Sequence, residues 1–424
     1  MARAMKNSGI EWIGEIPENW QVVRGKTVFR QRNEKGNDVC LQLLSPTQKY
    51  GVIPQAEYEQ LSGMKAVKLD VSADYSQLKT IHAGDFCISL RSFQGGFEYS
   101  QHEGAVSPAY QVFYPHIECD DGYFKYLFKD RTFIDKMNSY TLSLRDGKNI
   151  AFSDFANTYI PFPPIDEQTR IAAFLDAECA QIDAVIEQTR ASIEEYKKLK
   201  RSVITHTVTK GIRPGRKMKD SGVNWIDSIP EEWSMERGKG LFIEVDNRSE
   251  DGTEELLTVS QYTGITPRSQ KNVNMFEAET LEGYKICEIG DIAANTMWLW
   301  AGAIGVSRYR GVISPSYNIY RQKSNSFDPI YLDYLLRAAP LVQHYESLST
   351  GIRASRLRLY PQQFLSIRYP VPPMNEQKEI VSFLKEKIDG LDLLIQKKEQ
   401  YLAEIESYKK SLIFEYVTGK KEVR

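Results

Sequence analysis

The stretch SGIEWIGEIPENW at residues 8–20 returns at 221–233 as SGVNWIDSIPEEW, and a long internal repeat limits the available folds more than any local pattern does. Residues 5–29 align without gaps on 218–242, placing Trp12 on Trp225, Pro17 on Pro230, Trp20 on Trp233 and the RGK at 24–26 on that at 237–239. The match lapses, then resumes at Gly84-Asp85 and Gly290-Asp291, at SPAYQVF (107–113) and SPSYNIY (314–320), and at PFPPIDEQ (161–168) and PVPPMNEQ (370–377). A chain of 424 residues exceeds what one hydrophobic core organises. The repeat divides it into two copies of one plan.

Each Gly-Asp pair reads as a turn into a strand, FCISL in one copy and IAANT in the other, and the SPxY segments alternate as half-buried strands do. Helical segments follow at 122–138 and 328–345, and prolines then stop the last strand of each copy. Beyond them, Asp166 and Asn375 are placed to cap long helices that run to VTKG and VTGK. Their heptads are continuous: Ala172, Cys179, Ile186 and Ile193 beside Leu175, Ile182, Thr189, Tyr196 and Val203 in the first, and Val381, Ile388, Ile395 and Leu402 beside Leu384, Leu391, Lys398, Ile405 and Leu412 in the second. Four or more heptads argue for a coiled coil in which the two seams serve each other. The seam is expected at Leu175, Ile182, Ile186, Ile193, Leu384, Leu391, Ile395 and Leu402. Some 40 helical residues give a rod of about 60 Å, the dimensions of a spacer. The expected fold is mixed α/β: a first domain over 1–163, a helix over 164–213, a second domain over 214–372 and a second helix over 373–424.

Composition closes off several classes. A net charge of −2 and a pI near 6.3 give no overall basic character, so any nucleic-acid surface must be local. Cys40, Cys87, Cys119, Cys179 and Cys287 are odd in number with no C-x-x-C, so neither a disulfide framework nor a zinc site is indicated, as expected for a cytoplasmic protein. His82, His102, His116, His206 and His344 form no H-E-x-x-H pair, and no metal or cofactor is expected. The N-terminus lacks an apolar signal core, and MWLWAGAIGV at 297–306 falls short of the roughly 20 residues a membrane span needs. SPAY and SPSY approach the [DNS]-P-P-[YF] motif of amino-methyltransferases, but Ala109 and Ser316 replace its second proline and no F-x-G-x-G accompanies it. A G-x-x-x-x-G-K-[ST] phosphate loop is also missing. Residues 197–219 hold nine basic side chains and no acid, a run read chiefly as cations at a helix C-terminus, with nucleic acid or a partner protein as the other candidate contacts.

The frame repeats while the filling does not. Residues 30–80 and 243–286 share little, and neither do the loops after Gly-Asp, RSFQGGFEYSQHEG against MWLWAGAIGVSRYRG. Two similar scaffolds with different loops imply two related targets; repeated ends and helices imply two equivalent contacts with a shared partner. These residues resemble the specificity subunits of type I restriction-modification enzymes. The resemblance spans essentially the whole chain and rests on the SGIEWIGEIPENW type of opening, the Gly-Asp and SPxY landmarks and the PxPPxxEQ lead into a long helix, each present twice and in order. The short N-terminal MARA departs from the pattern.

The resemblance implies two target-recognition domains related by a pseudo-two-fold, each reading one half of a split, asymmetric sequence in double-stranded DNA, held apart by two antiparallel helices. It implies docking of two methyltransferase subunits, with restriction and translocase subunits joining for cleavage, so that catalysis resides in the partners and not in this chain. DNA contact is then expected from Arg, Lys, Asn, Gln and aromatic side chains on loops: Gln48 and Lys49; Arg91, Ser92 and Gln94; Arg145 and Lys148; Gln261, Tyr262 and Arg268; Asn295 and Trp298; Arg353, Arg356 and Arg358. The alternatives are a DNA methyltransferase, disfavoured by its missing motifs, and a coiled-coil scaffold without DNA readout, disfavoured by the variable loops.

Overall fold

The two halves build the same strand plan element for element. A computed structural model describes residues 3–35, 42–64, 75–88, 96–140, 150–271, 280–351 and 357–423. The first half holds a four-stranded antiparallel sheet in the order Phe29–Arg32, Gln111–Pro115, Phe86–Ile88, Phe97–Tyr99, and the second half repeats it as Phe242–Val245, Asn318–Gln322, Ile292–Ala294, Ile304–Val306. Four two-stranded pairs also recur. Among them, the strand after the opening tryptophan motif pairs with the strand before the prolines: Gln21–Arg24 with Tyr159–Phe162, and Ser234–Arg237 with Arg368–Val371.

The same frame encloses different cores. Phe29 and Phe242 hold equivalent sites, but around Phe29 lie Phe86, Phe113, Phe124, Phe128 and Phe155, where the second core uses Ile292, Tyr320, Leu332, Leu336 and Phe364. Phenylalanines packed edge-to-face or tilted fill in one unit a volume that aliphatic and aromatic side chains share in the other.

The Gly-Asp turns show a charge that has changed strands. Asp85 and Asp291 are buried, and each receives a backbone N–H at 2.9 Å, from His82 and Glu288. Arg32 on the first strand grips Asp85 at 2.7 and 3.1 Å, whereas Asp291 is gripped by Arg321 on the neighbouring strand at 2.7 Å to each oxygen. The position equivalent to Arg321 is Tyr114, over whose ring the Arg32 guanidinium lies at 4.4 Å, and the equivalent of Arg32 is Val245. Arg32→Val should therefore destabilise the first unit by about 3 kcal/mol, because it strands a buried carboxylate. Adding Tyr114→Arg should recover most of that loss by recreating the second unit's arrangement. Urea unfolding of the two single variants and the double variant checks this; strictly additive effects would exclude it.

Two long helices, Ile165–Lys210 and Met374–Val417, follow the proline segments. They begin one residue before the expected caps, so Asp166 sits in the first turn, facing Arg170 at 3.4 Å. The backbone carbonyl of Pro164 takes the first amides, from Glu167 and Gln168. Pro164 and Pro373 can precede a helix because the first turn's orphan groups ask nothing of the missing proline N–H.

The chain divides into two compact units, Met1–Arg190 with Gln400–Arg424, and Ala191–Glu399. Each contains one head and a stretch of both helices, paired antiparallel. In the first unit Phe174 packs on Tyr416 with ring centroids 4.5 Å apart, Asp183 meets Lys409 at 2.6 Å and Arg190 meets Glu406 at 2.7 Å. In the second, Lys197 faces Glu399 at 3.7 Å, Lys200 meets Asp392 at 2.7 Å and Arg213 meets Glu379 at 2.9 Å. Leu175, Ile186, Ile193, Leu384 and Ile395 are buried, and Ile182, Leu391 and Leu402 are half-buried. The basic run at 197–219 thus faces acids of the second helix as well as ending the first. Among the described residues no helix is long and apolar enough to cross a membrane.

The opening repeat and the PxPPxxEQ motif meet in each unit. Trp20, fully buried, donates its indole N–H to Glu167 at 2.9 Å, and Trp233 donates to Glu376 at 3.0 Å. Arg3 and Arg216 pair with these same glutamates and lie over the indole rings at 5.5 and 5.7 Å. Arg3 lies in the N-terminal MARA, so the repeat extends upstream of Met5 and Arg3 is part of the frame. Gln168 and Gln377 donate to the carbonyls of Pro163 and Pro372 and accept the N–H of Asp120 and Asp328, residues that cap the next helix of the head. Tyr123 and Tyr331, on those helices, donate to the carbonyls of Val417 and Val208 at 2.7 and 2.9 Å. Each head is thereby bound to the start of one long helix and the end of the other.

Candidate nucleic-acid interface

Within the stretches where the copies seem unrelated, the structure holds a matched pair of β-hairpins. Leu44–Thr47 pairs with Gly51–Pro54, and Leu257–Ser260 with Gly264–Pro267, in the same register. Aligned at the 213-residue displacement, LSPTQKYGVIP and LTVSQYTGITP keep the leucine, glutamine, glycine and proline. The leucine is buried, and the glycine leaves the turn at φ +71° and +66°, a conformation a side chain strains. Three residues remain at each tip: Gln48, Lys49 and Tyr50 in one, and Gln261, Tyr262 and Thr263 in the other.

These tips are exposed and chemically unlike. The Lys49 ammonium stands 5.0 Å from the Tyr50 ring centroid and 3.7 Å from Glu187 of the first long helix. Tyr262, 81% exposed, is the most exposed large apolar side chain among the described residues. Arg268 is half-buried in the short helical turn Arg268–Gln270 after the second hairpin. Trp298, half exposed, stacks on Trp300 with centroids 5.7 Å apart, and Arg358 is exposed beside a backbone bridge to Thr350. Asn295 is placed otherwise: it is buried, donates to the Tyr317 hydroxyl at 2.9 Å and accepts the Met297 N–H, so its carboxamide is spent on holding the turn that presents Trp298. Arg91, Ser92, Gln94, Arg145, Lys148, Arg353 and Arg356 lie outside the described residues.

Two cations absent from the sequence expectation stand beneath the tips. Lys129 donates to the carbonyl of Gln48 at 3.5 Å and pairs with Glu98 at 2.5 Å. Arg337 donates to the carbonyls of Tyr262 and Gln261 at 2.7 and 3.3 Å. Burial pushes the Glu98 carboxyl up to about 7 against the pull of Lys129. Aligning the copies through Tyr123 and Tyr331 places Lys129 on Arg337, a signal available in the sequence.

A duplicated head on paired helices, with exposed loops that differ between the copies, is the geometry of a recognition protein. Residues 17–195 match the family model for the type I restriction modification DNA specificity domain. A Methanocaldococcus jannaschii chain described as the MjaX specificity subunit of a type I restriction enzyme is 23% identical over 452 residues, covering 97% of this chain and 96% of its own. A chain from a structure on complex assembly and conformational transition of the type I R-M system is 16% identical with a TM-score of 0.71, covering 96% of this chain and 99% of its own. The crystal structure of the HsdS subunit from Thermoanaerobacter tengcongensis aligns with a TM-score of 0.52 at 16% identity, over 96% of this chain and 98% of its own. The chain is thus similar, over nearly its whole length, to the specificity subunits of type I restriction-modification enzymes, and its residues 17–195 carry their DNA specificity domain.

Proposed function

We propose that each head reads one half of a split, asymmetric site in double-stranded DNA, with the hairpin tips, Gln48 and Lys49 in the first and Gln261 and Tyr262 in the second, among the side chains that meet the bases. The observation that carries this reading is one hairpin, built twice with the same anchors and different tips. An invariant frame with interchangeable ends suits a part whose orientation must stay fixed while its target changes. Trp298, Arg268, Arg358 and the basic residues near 91–94, 145–148 and 353–356 complete the proposed surface, shared between base edges and phosphates. In this reading the four-part division at 163, 213 and 372 separates two reading heads from two helices, and the repeated helices and frame dock two methyltransferase subunits, joined by restriction and translocase subunits in the cytoplasm.

The test is to map methylated adenines genome-wide in a host expressing the chain with its partner subunits. Lys49→Ala should relax the bases of one half-site only, and Tyr262→Ala those of the other, each by about 1–3 kcal/mol of discrimination. Unchanged sequences for both variants would remove the hairpins from the reading surface.

A further inference from the structure

Lys129 and Arg337 occupy one structural position. Each lies six residues beyond the tyrosine that ties its head to a long helix, just after the helices Asp121–Leu127 and Pro329–Leu336. Each reaches main-chain oxygen at a hairpin tip: Gln48 in the first unit, and Gln261 with Tyr262 in the second. Their counter-ions come from different elements. In the first unit the acid is Glu98, on the strand Phe97–Tyr99. In the second unit that strand position is Gly305, and the acid facing Arg337 is Asp333, one turn back on its own helix, at 3.5 Å. An Asp333 oxygen also accepts the Val306 N–H at 2.9 Å, and a Cβ on Gly305 would stand 3.0 Å from it, so a side chain at 305 would crowd the acid. The units share the cation and the carbonyl at the tip, and the acid alone has changed place. A cation present merely to neutralise an acid would have no reason to face the tip twice.

We infer that Lys129 and Arg337 are positioning residues that fix the two hairpin tips in the orientation in which their side chains meet DNA. The inference rests on the hairpin reading above. Bonding to carbonyls makes the hold independent of the tip side chains, so a tip can change its target without losing its support. Arg337 spans two carbonyls, whereas Lys129 reaches one over a longer distance, so the second tip is held more firmly.

The experiment uses the full chain with its partner subunits and the same methylation map. In Arg337→Gln, methylation of sites with one wrong base in the second half should rise about tenfold relative to correct sites, the size of one lost charge-assisted hydrogen bond. The first half should be unchanged, and Arg337→Lys should restore most of the discrimination. Lys129→Gln should do the same to the first half with a smaller shift, and hydrogen exchange at the affected tip should quicken. A merely structural role would lower methylation at correct and incorrect sites in proportion, leaving the ratio fixed, and that result would overturn the inference. Should Arg337→Gln fail to accumulate, Lys129→Arg carries the test: it should sharpen first-half discrimination, and an unchanged ratio there refutes the positioning role. If Tyr262→Ala alters the second half while Arg337→Gln does not, the positioning inference alone has failed. If Tyr262→Ala alters nothing, the hairpin reading has failed with it.

Discussion

Replacing Glu376 with alanine should cost the second unit about 3–5 kcal/mol, the range for removing one partner of a buried ion pair. Its side chain is 2% exposed and that of Arg216 9%, and the same carboxylate accepts the indole N–H of Trp233. Alanine strands the indole and leaves the Arg216 guanidinium with only the exposed Glu232 at 2.9 Å, at the junction between the head and both long helices. Glu376→Gln should recover part of the loss, since a carboxamide oxygen can still accept from the indole but brings no charge. The first unit supplies a pH signature. Burial acts to raise the Glu167 pKa, but hydrogen bonds from Arg3 and Trp20 outweigh it, so the carboxyl sits below its ordinary 4.5. Its stabilisation is complete above that value and is lost as the pH falls through the lowered one. Glu167→Ala should abolish this acid-side loss in the first unit. Hydrogen exchange with increasing urea, which resolves the two units, checks both statements; unchanged protection around Trp233 in Glu376→Ala would show that the junction does not hold the head.

The repeat, the long helices and the recognition role were legible because they rest on residues that stay identical between the copies: the tryptophans, the glycines of turns and the Glu-Gln pair after the prolines. The paired hairpins were not. Their anchors are four residues scattered among eleven, and their alternation is interrupted by Pro46 on one strand and Gly264 at the head of another. Arg3 escaped because Ala4 and Lys217 break the identity just after it, although its side chain does the work of Arg216. The changes of strand at Arg32 and Arg321, and of acid at Glu98 and Asp333, are invisible to a position-by-position comparison, since the interaction is kept while the residue that supplies it moves. Asn295 shows the opposite limit. A polar residue in a variable loop is the type that contacts bases, yet a buried carboxamide with partners on its oxygen and nitrogen serves the turn instead.

Lengthening both helices at matched points should change the spacing of the DNA site while leaving its bases alone. The antiparallel pairing requires the insertions to match: contacts run from Asp183–Lys409 to Arg190–Glu406 in one unit and from Lys197–Glu399 to Lys200–Asp392 in the other, so four residues added to one helix alone would slide its later charges past their partners. Four residues after Arg190 together with four after Ile405 keep each unit's pairs in register. They add about 6 Å of helix at 1.5 Å per residue, against about 3.4 Å per base pair along B-DNA. A four-residue insertion unwinds a coiled coil locally without breaking it, and Thr189, buried in the seam, already tolerates a polar atom there. If the helices set the separation of the half-sites, the gap between methylated half-sites should grow by roughly one or two base pairs while both half-sequences persist. Methylation mapping of the parent and the doubly extended chain decides the matter: retained activity with an unchanged gap would mean that the separation is set by the docked partners or by the DNA, and the helices would then be only the surface on which the complex assembles.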